Sequence, residues 1–155
     1  MVAFGLKVGL MKEARFVSPY QNSLELPEKT VTMTAKRILL IDDEASILAV
    51  ALIGLKRAGW SVFTAASGKE GIAKAETLKP DAIVLDVMMP EMDGLATLQQ
   101  IQNNPQVKHI PVIFLTAKVR QSDRRRFYAS GIKGFITKPF DPTTLASQIS
   151  GFLGW

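Results

Sequence analysis

Ala82-Ile83-Val84-Leu85-Asp86 is a run of four aliphatic residues closed by a carboxylate. A strand that is apolar on both faces is what a parallel sheet covered by helices on both sides requires, whereas an antiparallel strand with one wet face would alternate. Upstream, Ile38-Leu39-Leu40-Ile41 has the same character and ends in Asp42-Asp43. Downstream, Val112-Ile113-Phe114-Leu115 ends in Thr116, with Pro111 opening the run where a missing N–H does least harm. Trp60 to Ala66 and Gly134-Phe135-Ile136-Thr137-Lys138 complete a set of five expected strands.

Helix-period segments lie between these runs. Ala45 to Ala58 carries an apolar stripe of Ile47, Leu48, Ala51, Leu52 and Leu55 and is stopped by Gly59. Ser67 can cap a helix from Lys69 to Leu78, with Glu70 at the capping-box position and Lys79-Pro80 at its end. Met88 to Asp93 reads as a loop, and Gly94 to Asn103 as a helix with Leu95, Leu98 and Ile101 inward. Gln121 to Ser130 is a basic helix ending at Gly131, and a last helix is expected from about Pro142, after Asp141, to Leu153. Strands alternating with helices define a doubly wound α/β sheet, whose function sits at the carboxyl ends of the strands near the point where strand order reverses. Those ends supply Asp42-Asp43, Asp86, Thr116 and Lys138.

Carboxylates gathered there repel: two unit charges 4 Å apart at an effective dielectric of 20 cost roughly 4 kcal/mol. A divalent cation removes the problem, and all-oxygen ligands with room for water favour Mg²⁺. Thr116 adds a hydroxyl donor and Lys138 a point charge, the groups suited to a phosphoryl oxygen. Together they describe phosphoryl transfer to an aspartate. Taken singly, each has an ordinary structural explanation as helix cap, turn residue or surface lysine; only their conjunction points to chemistry.

Ile41-Asp42-Asp43-Glu44, the run Leu85-Asp86-Val87-Met88-Met89-Pro90-Glu91-Met92-Asp93-Gly94, Leu115-Thr116-Ala117 and Lys138-Pro139-Phe140 resemble the receiver domains of two-component response regulators. The spacing, 43 residues from Asp43 to Asp86, 30 to Thr116 and 22 to Lys138, is similar to that family's, and the resemblance runs from about Lys36 to Leu153. It implies a flavodoxin-like five-stranded parallel sheet in strand order 2-1-3-4-5. It implies Asp86 as phosphoacceptor from a histidine kinase or histidine phosphotransfer protein. Asp43, Asp86 and the backbone carbonyl of Met88 are implied as Mg²⁺ ligands, with Asp42 acting through a water. By the same resemblance Lys138 binds a phosphoryl oxygen, Thr116 and Phe135 form the switch, and Lys138-Pro139 is a cis peptide. Met88 and Lys118 flank the site at positions where the family tunes dephosphorylation. The role implied is a phosphoacceptor signalling domain rather than an enzyme.

Two other readings stay open. A haloacid-dehalogenase-type aspartyl-phosphate hydrolase uses similar groups, but it expects a second acid two residues after the nucleophile, where this chain has Met88. A phosphorylation-independent interaction module would not need the full set of Asp42, Asp43, Asp86, Thr116 and Lys138.

The chain has 155 residues with 47% hydrophobic and 21% charged content and a mean hydropathy of +0.14, enough for one packed domain and too apolar for a disordered chain. The absence of cysteine excludes disulfide scaffolds, thiolate metal sites and cysteine nucleophiles. No run is long enough to span a bilayer, and Val2 to Leu6 is too short for a signal peptide, so a cytoplasmic location is expected. Net charge is +5, and the window from Lys118 to Lys133, six bases against Asp123, accounts for that whole value. A downstream protein is expected at the 118–153 face, an acidic one if the basic helix does more than aid solubility. Only Phe127 and Tyr128 interleave the basic run, which argues against nucleic acid. His109 reads as loop surface. The chain stops at Trp155, so a stand-alone receiver over 35–155 is expected. Residues 1–34 read as an extension or linker, in which Phe4, Val8 and Met11 have helical spacing and Met33 offers a second start.

Overall fold

The computed structural model describes residues 35–117 and 119–155; the N-terminal extension and Lys118 lie outside the described residues. Strands and helices alternate as β1 (Arg37–Ile41), α1 (Ala45–Arg57), β2 (Ser61–Ala65), α2 (Gly68–Leu78), β3 (Ala82–Asp86), α3 (Gly94–Gln102), β4 (Val112–Thr116), α4 (Gln121–Ala129), β5 (Gly134–Thr137) and α5 (Leu145–Leu153). The five strands form one sheet in the order β2-β1-β3-β4-β5, and every pairing is parallel. Strand order reverses between β1 and β3, so the switch-point crevice opens at Asp42-Asp43 and Asp86.

Alternation along the strands divides the core in two. Leu39, Ile41, Ile83, Leu85 and Phe114 pack with Ala75, Leu98, Ile101 and Phe127 of α2, α3 and α4 on one face. Ile38, Leu40, Val84, Ile113, Leu115 and Ile136 pack with Ala51, Leu55, Leu145 and Ile149 of α1 and α5 on the other. Every residue of β3 and β4 is buried, as their unbroken apolar runs require, while the edge strand β2 is only half-buried.

Local signals act largely as expected. Gly59 takes φ of +86° directly after α1, a conformation costly for any residue with a Cβ. Ser67 Oγ accepts a hydrogen bond from Glu70 N–H at 3.1 Å, but the Glu70 carboxylate reaches past the cap to the Ala66 N–H at 2.9 Å, so the box is not reciprocal. The final helix departs from expectation at its start. Asp141 Oδ1 accepts from both the N–H and the hydroxyl of Thr143, at 2.8 and 2.7 Å, and Thr144 N–H bonds Asp141 O. This side-chain turn competes with the helix over its first turn, and α5 begins at Leu145, three residues after Pro142.

Candidate phosphoacceptor site

At the carboxyl edge of β1, Asp42 continues the inward face of Ile38 and Leu40 and is 1% exposed, while Asp43 turns outward and is exposed. At the end of β3, Asp86 is 2% exposed. Carboxylate oxygens of Asp42, Asp43 and Asp86 lie within 4.8 Å of one another. From just beyond β5, on the N-terminal side of the cis Lys138-Pro139 peptide, the Lys138 ammonium enters this cluster. Its Nζ is 2.7 Å from Asp42 Oδ2, 3.4 Å from Asp86 Oδ1 and 3.5 Å from Glu44 Oε1. Backbone donors hold the acids in place: Glu44 N–H donates to Asp42 Oδ1 at 2.9 Å and Met88 N–H to Asp86 Oδ1 at 3.3 Å. Lys138 N–H donates to Thr116 O at 2.8 Å, which ties the lysine to the end of β4.

The electrostatics follow from burial. Asp86 has its pKa pushed up to about 6, first by desolvation and then by the Asp42 charge, against the pull of Lys138 and the Met88 N–H. Burial works against the Lys138 ammonium, but hydrogen bonding and charge from Asp42, then Asp86, overcome it and hold the lysine above its ordinary value. Four carboxylates around one ammonium leave the site in excess negative charge, and an all-oxygen donor set fits a hard divalent cation.

A stability test follows from the raised Asp86 pKa. The folded carboxyl at about 6 binds its proton more tightly than the unfolded one at 3.8, so the stabilisation is complete below 3.8 and is lost as pH rises through about 6. In Mg²⁺-free buffer, Asp86→Asn should match the parent in denaturation midpoint near pH 4 and exceed it increasingly towards pH 7. A constant difference across that range in paired urea titrations would contradict the raised pKa.

The loop after Asp86 is built on close backbone contact. Gly94 N–H donates to Val87 O at 2.9 Å, and a Cβ on Gly94 would lie 2.5 Å from Asp86 O and 2.7 Å from Val87 Cα. Asp93, read from sequence only as loop, caps α3 by accepting from Ala96 N–H at 2.8 Å. Glu44, which sequence reasoning quoted but gave no role, is exposed yet faces the lysine.

Thr116 is buried, and strand register sets Phe114 beside Phe135 and Thr116 beside Thr137, so Thr116 and Phe135 share the sheet face under α4. Phe135 is half-buried among aromatic rings, its centroid 5.7 Å from Tyr128 and 6.3 Å from Phe127, with the Arg124 guanidinium 5.2 Å from its centre. A cavity of about 590 Å³ opens between the β3–α3 loop and α4, lined by Val87, Met88, Leu95, Thr116 and Phe127 among others. The expected tuning position Lys118 lies outside the described residues.

Comparison with known proteins agrees with this fold. The family model for the response regulator receiver domain matches residues 38–150. The alkaline phosphatase synthesis transcriptional regulatory protein PhoP of Bacillus subtilis is 40% identical over 118 residues, covering 76% of this chain and 48% of that protein. RpaA of Synechocystis, described as a DNA-binding dual master transcriptional regulator, is 37% identical over 117 residues, covering 76% of this chain and 48% of its own length. The chain thus spans about half the length of the curated relatives it matches. Among solved structures, chemotaxis protein CheY4 of Vibrio cholerae superposes with a TM-score of 0.72 at 34% identity, covering 77% of this chain and 99% of that one. The chain belongs to the response regulator receiver domain family, and it is a signalling module of two-component systems. No helix among the described residues is long and apolar enough to cross a membrane.

Proposed function

We propose that Asp86 is the phosphoacceptor of this receiver, taking a phosphoryl group from a phosphohistidine on a histidine kinase or histidine phosphotransfer protein. A buried carboxylate at the switch point, 3.4 Å from the Lys138 ammonium and grouped with Asp42 and Asp43, is the observation that carries this reading. An Asp86 oxygen attacks phosphorus, the N–P bond of the donor breaks with its electron pair passing to the imidazole, which takes up a proton, and an acyl phosphate remains. Asp43, Asp86 and the Met88 carbonyl would hold Mg²⁺, with Asp42 acting through a water. When bound, the ion supplies positive charge that offsets the carboxylates and the incoming phosphoryl oxygens. Lys138 then exchanges part of its contact with Asp86 for a phosphoryl oxygen. The Thr116 hydroxyl donates to another, and Phe135 turns inward on the face it shares with Thr116. Self-dephosphorylation is slow, and the protein works in the cytoplasm.

Incubation with Mg²⁺ and a small acyl phosphate should add the mass of one phosphoryl group to the intact protein. The gain should vanish when the ion is chelated before the donor is added, because the clustered carboxylates then repel the donor's phosphoryl oxygens. Full mass gain in chelator would overturn the metal assignment.

Output is assigned to the α4–β5–α5 face. Arg124, whose guanidinium lies over the Phe135 ring of β5, is exposed, as are Arg120, Arg125, Arg126 and Lys133 on or beside α4, and α5 carries no charged residue, so the surface suits an acidic protein partner. Charge reversal at Arg124 and Arg125 should slow association with a partner recovered by phosphorylation-dependent capture and flatten its salt dependence, leaving Asp86 phosphorylation intact. Association kinetics at two ionic strengths check this, and rates indifferent to the reversal would assign these arginines to solvation alone.

A further inference from the structure

We propose that Met88 is an oxidation site through which a hydroperoxide shortens the life of the phosphoryl group on Asp86; the proposal rests on the phosphoacceptor reading above. All three methionines among the described residues, Met88, Met89 and Met92, fall in the loop between β3 and α3. Their surroundings differ. Met89 is 8% exposed and Met92 half-buried, whereas Met88 is 72% exposed, more than any other large hydrophobic residue among those described. An apolar side chain held that far into solvent gains little by burial, and its thioether is open to attack. Its backbone is tied to the site, because the Met88 N–H bonds Asp86 Oδ1, and the residue lines the cavity shared with Val87 and Thr116.

The chemistry balances without help from the protein. A sulfur lone pair attacks one oxygen of the hydroperoxide, the O–O bond breaks, and the sulfoxide forms as water or an alcohol leaves; sulfur loses two electrons and the peroxide gains them. The product has a polar, chiral sulfoxide where an apolar thioether stood, and it is reversible by methionine sulfoxide reductases. At the rim of the acceptor site a thioether repels water, and a sulfoxide oxygen accepts hydrogen bonds from it. Water held beside the acyl phosphate promotes hydrolysis, which sets the direction of the effect.

The full chain is first phosphorylated with a small acyl phosphate and Mg²⁺ and its phosphoryl half-life measured, then the measurement is repeated after graded hydrogen peroxide with peptide mapping of each methionine. Oxygen is expected on Met88 at lower doses than on Met89 or Met92, with a several-fold shorter half-life that reductase treatment restores. Met88→Leu, which keeps the volume and removes the sulfur, should have a half-life that does not change with peroxide, whatever its starting value. Prior oxidation of Met89 or Met92, an unchanged half-life, or a loss that persists in Met88→Leu would each overturn the proposal. Failure of the unoxidised protein to take up phosphate would instead count against the phosphoacceptor reading, and the mapping would still report Met88 reactivity.

Discussion

Asp86→Asn should abolish phosphoryl uptake while leaving the fold intact. The amide has nearly the same shape as the carboxyl, and the side chain is buried at the end of a strand packed on both faces, so the sheet keeps its register. What disappears is the only buried carboxylate oxygen among the described residues within reach of both Lys138 and the Met88 N–H. Asp42, the other buried acid, is already held at 2.7 Å by Lys138 and by the Glu44 N–H, so it has no oxygen poised as a replacement. Intact mass after incubation with donor and Mg²⁺ checks the result; mass gain of the parent's size in the variant would move the acceptor elsewhere.

Gly94→Ala should be the most damaging single-methyl change near the site. The added Cβ meets Asp86 O at 2.5 Å and Val87 Cα at 2.7 Å, both backbone atoms of the segment that carries Asp86. No flexible side chain can move aside. Inserting a methyl into such packing costs about 3 kcal/mol, at the upper end of overpacking penalties. Urea denaturation should register that loss. Phosphorylation should fall as well, because relief of the clash displaces Asp86 and Met88 together. A variant as stable as the parent would show that the loop yields more easily than its contacts indicate.

The strands were readable because β3, β4 and all of β1 after Arg37 are buried on both sides, which leaves an unbroken apolar run before the polar residue at or just beyond each strand's end. The same rule singled out Asp42, Asp43, Asp86, Thr116 and Lys138. Other features were out of reach for physical reasons. The start of α5 turned on whether Asp141 would cap a helix or close a turn with Thr143, and the sequence offers both. That Asp42 is buried while its neighbour Asp43 is exposed depends on strand parity at the last residue. The raised pKa of Asp86 arises from desolvation and from Asp42, a residue 44 positions away in sequence. The stacking of Arg124 on Phe135 joins α4 to β5 through tertiary packing that no periodicity encodes.

Chemical trapping of the modified residue shows which side chain carries the phosphoryl group. Borohydride reduces an aspartyl phosphate to homoserine, so treatment of the phosphorylated protein followed by peptide sequencing reads the acceptor from its position. Homoserine at position 86 and nowhere else is the expected result. Homoserine at position 42 or 43, or a phosphoryl group that resists reduction and stays on a hydroxyl side chain, would contradict it.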